Sequence, residues 1–104
     1  MEKTDDLATL KSLLAPGKKT LVLFHASWCP DCISFSPIWK NYTKDNRHNF
    51  DKIIEAQIDK DENPIWDAFN VTVDPTVILL EGNKELRRFE TKEKHIHMSD
   101  LNSL

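Results

Sequence analysis

The sequence predicts an α/β domain in which a central mixed sheet of about four strands is flanked by helices on both faces. Helical and extended patterns alternate along the chain, and that order places helices on both sides of a sheet. Residues 20–26 form a nearly continuous apolar run, as expected for an interior strand covered on both faces. The chain has 104 residues, a common length for one domain, so we expect a single domain over residues 1–104.

The first half of the chain predicts a helix, that apolar strand and a second helix. Leucines recur at helical spacing over residues 7–14, behind the capping residues 4–6. The sequence Ala-Pro-Gly then ends the helix. The second helix is predicted from near Cys29 to about Asp45, because apolar residues form one stripe along it. Pro37 lies in its interior, where the missing backbone hydrogen bond should kink the helix.

A second strand is predicted over residues 53–58, followed by a short helix. In that helix we expect Asn63 to be the N-cap and Pro64 to be the first helical residue. Asn70 can adopt the left-handed conformation that ends a helix.

Two more strands and a last helix complete the predicted fold. Pro75 cannot donate a ladder hydrogen bond, so it belongs at the start of a strand over residues 76–80. A turn at residues 81–84 leads into a charged strand over residues 85–89, which suits a sheet edge. Its apolar residues do not alternate cleanly, so we expect a bulge. Residues 99–104 predict a short final helix.

Composition excludes several classes of function. The net charge is −3, from 14 basic and 17 acidic residues, which argues against nucleic-acid binding because that needs clustered lysine and arginine. No apolar run approaches the ~20 residues that cross a bilayer, so we expect no membrane span. Residues 1–4 lack the layout of a secretory signal, so we expect no cleaved leader. We expect a cytoplasmic monomer.

Cys29 and Cys32 are the two cysteines, and they carry the functional hypothesis. A small extracellular domain held by disulfides usually has four or more widely spaced cysteines. A bridge across two intervening residues closes a very short loop, and such a bridge adds little stability. The role of the pair is therefore expected to be chemical.

The spacing places the two sulfurs at positions i and i+3 of the first helical turn. Residues so spaced have Cα atoms about 5 Å apart, within the range for a disulfide. Cys29 lies at the helix N-terminus, where unpaired N–H groups and the helix dipole favour the thiolate that attacks a disulfide. Cys32 is expected to be shielded and to resolve the mixed disulfide, with Trp28 as a flat apolar surface beside Cys29. This mechanism requires that the sulfurs lie close together and are not both sealed from water.

From about residue 5 onward the chain resembles the thioredoxin family. The motifs that match are Trp28–Cys32, which reads Trp-Cys-Pro-Asp-Cys, Pro37, Ile58–Asp59 through Asn63–Pro64, and Asp74–Thr76. The resemblance implies a thioredoxin fold, dithiol–disulfide exchange and a cis peptide bond between Asp74 and Pro75. It also implies that the backbone before this proline pairs with an extended substrate chain.

By the same resemblance, the substrate-binding residues are expected to be Trp28, Pro30, Asp31, Asp74 and Pro75. Ordinary thioredoxins carry Gly-Pro between the cysteines, whereas Pro30-Asp31 is similar to the thioredoxin-related proteins with a Trp-Cys-Pro-Asp-Cys motif. Those proteins tend to prefer narrower sets of substrates.

The chain also lacks the buried aspartate that the family usually has six residues before the first cysteine. Leu23 occupies that position, and Glu55 aligns with its usual lysine partner on the next strand. The proton-transfer route of the family is therefore missing in its usual form. Glu55 could serve as a substitute base, but a strand carboxylate at a solvated edge is the favoured interpretation.

Asp31 and Asp74 are expected to flank the sulfurs with negative charge. Each charge at ~7 Å in a solvent-like dielectric disfavours the thiolate by roughly 0.5–1 kcal/mol, similar to the opposing helix dipole. A disulfide is then more stable than it would be with histidine at position 31. This favours a reductant, and the same charges should repel acidic substrate segments.

We predict a thiol–disulfide oxidoreductase that acts through Cys29 and then Cys32 on protein or small-molecule disulfides. No cofactor-binding loop is present, so we expect no cofactor and a separate reductase, similar to thioredoxin reductase, as electron donor. The alternatives are a glutathione-coupled, glutaredoxin-like protein and a non-catalytic binding module with the same fold. We expect no metal site, because zinc usually needs four closely spaced ligands. The remaining candidate ligands are His25 and the distant His95 and His97, and the latter two are expected to be solvated.

Overall fold

The computed structural model describes residues 1–45 and 49–104. Within them, five strands and four helices follow one another in an order that alternates up to the final hairpin. They are β1 (Glu2–Thr4), α1 (Leu7–Leu13), β2 (Lys19–His25), α2 (Pro30–Thr43), β3 (Lys52–Gln57), α3 (Ile65–Ala68), β4 (Thr76–Glu81), β5 (Lys84–Glu90) and α4 (Met98–Asn102).

The strands form one mixed sheet in the order β1-β3-β2-β4-β5. Strands β1, β3 and β2 are parallel, whereas β4 and β5 are antiparallel to their neighbours. The prediction of about four strands is corrected to five, because β1 was missed. Its three residues, Glu2–Thr4, are too few and too polar to show an alternating pattern.

The alternation of side chains along β2 divides the core into two layers. Val22 and Phe24 face a cluster that includes residues of α1 and α3. Leu21 and Leu23 face the opposite cluster, which includes Phe35 of α2 and residues of α4. Helices therefore cover both faces of the sheet, as the continuous apolar run predicted. No helix in the described ranges has the length and apolarity required to cross a membrane.

Several helix caps and the bulge in the last hairpin agree with what the sequence predicts. Asp6 caps α1 by accepting from the Thr9 amide at 2.9 Å, and Asn70 has a positive φ of 53°. The β4–β5 ladder shifts register between Leu79 and Leu80, which is the expected bulge. The N-cap of α3 is Pro64 rather than Asn63, although the Asn63 side chain accepts from the Ile65 amide at 2.9 Å.

Two turns meet at the end of the sheet where β2 begins and β4 ends. Gly82 donates its amide to the Lys18 carbonyl at 3.0 Å. Gly17 and Gly82 both have positive φ values, 73° and 57°, which glycine adopts without a steric penalty. The opposite end of β2 leads to the cysteines.

Candidate active site

Cys29 is the N-cap of α2, with Pro30 at the first helical position. Its Sγ accepts a hydrogen bond from the Cys32 amide at 3.1 Å and lies 3.5 Å from the Asp74 carbonyl, to which it donates as a thiol. An N-cap side chain accepts from an amide that the helix leaves unpaired. A negative sulfur is favoured there, because the N–H and the helix dipole both point at it.

Both cysteines are free thiols and both are nearly covered. Cys29 is 3% exposed and Cys32 is 7% exposed. Cys32 is shielded as expected, and Cys29 is covered as well by the loop before α2 and the Asp74 segment. A few per cent of each cysteine stays accessible, so neither is completely sealed from water. The two sulfurs differ in their hydrogen bonds, because Cys29 Sγ accepts a hydrogen bond from the Cys32 amide.

Cys32 lies one turn into α2 and is held as a thiol. Burial, followed by its hydrogen bond with Cys29, raises the pKa of Cys32 far above its ordinary value. A thiol with such a pKa is a poor nucleophile until its proton is removed. The two sulfurs therefore differ, because Cys29 Sγ accepts an amide hydrogen bond whereas Cys32 is buried as a thiol with a raised pKa.

Asp74 directly precedes β4, and its peptide bond with Pro75 is cis. A carboxylate oxygen of Asp74 and the two sulfurs all lie within 4.8 Å of one another. Oδ2 of this carboxylate is buried and has no hydrogen-bond partner among the described residues. Burial raises the pKa of Asp74, while hydrogen bonding with Cys29 opposes part of the rise. Asp74 flanks the sulfurs as expected, and it does so with its side chain as well as its backbone.

Trp28 is held in place by hydrogen bonds through Asp59 that the sequence did not predict. Its indole Nε1 donates to the Asp59 carbonyl at 2.9 Å, and the Asp59 carboxylate accepts from both the amide and the hydroxyl of Ser27 at 2.8 Å. These hydrogen bonds lower the pKa of Asp59. Trp28 is nevertheless 55% exposed, so a side chain that directly precedes Cys29 is held by a hydrogen bond and still accessible to solvent. The signal in the sequence was Asp59 directly after a strand that pairs with β2.

Asp31 and Pro30 lie at the surface of the first turn of α2. The Asp31 carboxylate is half exposed, and the Nδ1 of His95 lies 3.8 Å from it. Asp31 does not belong to the group formed by the two sulfurs and Asp74. Asp31, Pro75 and His95 line one groove of about 250 Å³. His95 is solvated as predicted, although it contributes to this groove.

Glu55 is not at a solvated edge, so that interpretation is corrected. It lies on β3, which is flanked by β1 and β2, and its side chain is only 14% exposed. It accepts from Trp39 Nε1 at 3.0 Å and lies 3.9 Å from His25 Nε2. Burial lowers the pKa of His25 in spite of the Glu55 charge. Among the described residues, the polar contacts of the Glu55 side chain are thus with Trp39, His25 and Lys3, whose Nζ lies 4.0 Å from Oε1, and not with the cysteines.

The side chains that could hold a metal ion at this site are Cys29, Cys32 and Asp74. His25, His95 and His97 are not members of this group of described residues. Two thiolates and one carboxylate provide three of the four ligands that zinc takes in structural sites.

Comparison with known proteins agrees with this geometry. The family model described as Thioredoxin matches residues 3–101. The chain is 31% identical over 84 residues to a thioredoxin of Mycoplasmoides gallisepticum, with 81% of each chain covered. It is also 32% identical over 74 residues to a protein disulfide-isomerase of Neurospora crassa, covering 70% of this chain. The chain spans about a fifth of the length of that isomerase.

Solved structures show the same fold. The thioredoxin of Fasciola hepatica superposes with a TM-score of 0.74 at 24% identity, covering 99% of this chain and 94% of that one. Thioredoxin f2 of Chlamydomonas reinhardtii superposes with a TM-score of 0.79 at 16% identity, covering 99% and 91%. At these identities the likeness establishes the fold alone.

Proposed function

The chain belongs to the thioredoxin family, and from that premise we propose that it is a thiol–disulfide oxidoreductase that reduces disulfides. Cys29 attacks a substrate disulfide and forms a mixed disulfide, and Cys32 then attacks Cys29 and releases the reduced substrate. The observation that carries this proposal is the N-cap geometry of Cys29, whose sulfur accepts the Cys32 amide at 3.1 Å. That hydrogen bond stabilises the thiolate required for the first step.

The charges near the sulfurs support a reductase over an oxidase. Asp74 lies beside both sulfurs, and Asp31 occupies the first turn of the same helix. Negative charge disfavours a thiolate more than it disfavours a neutral disulfide, so the reduced protein gives up its electrons more readily. A separate protein reductase would restore the dithiol, and a reducing compartment such as the cytoplasm suits this cycle.

The surface around Cys29 fits a protein substrate. Trp28 presents an exposed ring beside the sulfur, and Pro30 and Asp31 form the exposed rim at the start of α2. The backbone of Asp74 and Pro75 provides the edge on which an extended substrate segment would pair. Because Cys29 is only 3% exposed, the incoming disulfide must displace the covering loop slightly.

Reduction of insulin by dithiothreitol, followed as turbidity, tests the proposal. We expect the wild-type protein to accelerate precipitation, and Cys29→Ser to abolish the acceleration. Cys32→Ser should capture substrate as a mixed disulfide, because the release step is lost. A wild-type protein with no acceleration would favour a binding module with idle cysteines. Activity that requires glutathione would favour the glutaredoxin-like alternative.

A further inference from the structure

The resolving step needs a proton acceptor that the usual family position does not supply. Leu23 is 5% exposed and lies in the apolar cluster with Phe35 and Trp39, so it offers no acceptor. Glu55 is engaged by Trp39 Nε1. Cys32, whose thiol must lose its proton before it can attack, is buried.

We propose that the Asp74 carboxylate is the base that accepts the Cys32 proton during resolution of the mixed disulfide; this inference rests on the proposed function. Asp74 qualifies by position, because one of its carboxylate oxygens lies within 4.8 Å of both sulfurs. It qualifies by availability, because buried Oδ2 has no hydrogen-bond partner among the described residues. An unpaired buried oxygen is costly, and the cost is relieved when it accepts a proton.

The electrostatics of the site agree with this role. Burial raises the pKa of Asp74 and also raises that of Cys32. A carboxylate with a raised pKa is a stronger base than an ordinary one, although the larger rise in the pKa of Cys32 keeps the proton transfer uphill. Hydrogen bonding with Cys29 opposes part of the rise in the pKa of Asp74. Of the charged groups that act on Asp74, Asp31 raises its pKa and His25 lowers it.

The step balances in protons and electrons. The Cys32 S–H bond breaks and its proton moves to the Asp74 carboxylate. The Cys32 sulfur forms a bond with Cys29 Sγ, and the bond between Cys29 and the substrate sulfur breaks. The substrate leaves as a thiolate with the electron pair of that bond, and it can take up the proton from Asp74 or from solvent. The protein dithiol is oxidised by two electrons and the substrate disulfide is reduced.

The reaction with an aromatic disulfide, 5,5′-dithiobis(2-nitrobenzoate), separates the two steps. Attack by Cys29 releases one coloured thiolate, and resolution by Cys32 releases a second at a rate independent of reagent concentration. In Asp74→Asn we expect the second phase to slow by at least about tenfold, the low end of what a general base contributes. The first phase should be unchanged or faster, because a negative charge beside Cys29 has been removed.

The pH profile distinguishes a base from a structural residue. In the wild type the second phase should rise with pH through the titration of a carboxyl and then level off. In Asp74→Asn it should instead keep rising with hydroxide concentration. Asp74→Glu should restore part of the rate, and Leu23→Asp in the Asp74→Asn background should restore a carboxyl-dependent profile. Asp67→Asn, at an exposed position on α3, is the matched control and should leave both phases unchanged.

The outcomes distinguish the role of Asp74 as a base from the proposed function as a disulfide reductase. A second phase in Asp74→Asn within twofold of the wild type would overturn the role of Asp74, as would equal slowing of both phases with an unaltered pH profile. A wild-type protein that shows no first phase would overturn the proposed function itself, and this inference with it.

Discussion

Asp31 and Asp74 show that two acidic residues predicted for one site can have different surroundings. The Asp74 carboxylate is within 4.8 Å of both sulfurs, whereas Asp31 is half exposed and lies near His95. Water screens the charge of an exposed carboxylate. Asp31 therefore acts on the sulfurs as a modest long-range charge, and Asp74 acts on them directly.

Replacing Asp31 tests how much this exposed charge contributes to the redox equilibrium. We expect Asp31→His to have a less negative reduction potential than the wild type by about 10–20 mV, because removing the charge stabilises the thiolate form. Equilibration with a dithiothreitol redox buffer measures the shift. Asp31→Asn, which removes the charge without adding a ring, should move the potential in the same direction. A more negative potential in both variants would contradict the argument.

At the residue scale, the sequence predicted that Cys29, Cys32, Trp28 and Asp74 lie together, but it did not predict their surroundings. Cys29 and Cys32 could be found because their spacing fixes their positions on one helical turn. The unpaired Oδ2 of Asp74 could not be found, since the approach of its side chain depends on how the segment before β4 packs against α2. Glu55 was placed at a solvated edge because the sequence did not reveal β1 on its outer side.

At the scale of elements, the loops after β2 and β3 are joined by Asp59. Its carboxylate accepts from Ser27 at 2.8 Å and from Gln57 Nε2 at 3.0 Å. These hydrogen bonds form only in the folded protein and lower the pKa of Asp59. A lowered pKa in the folded state stabilises the protein at pH values above the unfolded pKa, and this stabilisation is lost as the pH falls through the folded pKa.

Asp59→Asn should therefore destabilise the protein in a pH-dependent way. We expect a Tm roughly 2–5 °C below that of the wild type at neutral pH, because charge-assisted hydrogen bonds are lost. The difference should shrink toward zero in acid, below the folded pKa of Asp59. Thermal denaturation followed by circular dichroism at several pH values measures it. Asp61→Asn, two residues away and exposed, should match the wild type throughout, and a pH-independent difference for Asp59→Asn would contradict the assignment.

The elements themselves were predictable where periodicity was strong. Three elements were predicted from clear patterns: β2 from its apolar run, α2 from its apolar stripe and β4 from the proline before it. Asn70 follows α3 with the expected positive φ. The strand β1 was not predictable, because its hydrogen bonds to β3 come from a partner more than 45 residues away in the chain. Helix α2 continues through Pro37.

At the scale of the whole molecule, both edges of the sheet are poor templates for association. Strand β1 has three residues, and β5 reads Lys-Glu-Leu-Arg-Arg-Phe-Glu. Short or highly charged edge strands discourage pairing with a second copy. We therefore predict that the protein is a monomer in solution.

Light scattering should give a mass of about 12.1 kDa over a wide range of protein concentrations. Arg87→Val, which makes exposed β5 less charged, should increase the apparent mass at high concentration because the edge loses a repulsive side chain. Arg87→Lys keeps the charge and should behave as the wild type. A wild-type protein that is dimeric at low micromolar concentration would contradict this prediction.

The meeting of the two turns at Gly17 and Gly82 has a practical consequence. This end of the sheet is opposite the end from which Cys29 emerges, and Lys18 and Lys84 beside the turns are exposed. A bead or an electrode coupled through an azide-bearing residue at Asn83 would hold the protein with its dithiol directed toward the medium. Under the proposed function, a surface prepared in this way would reduce disulfides in the medium and would be recharged by washing with a small thiol.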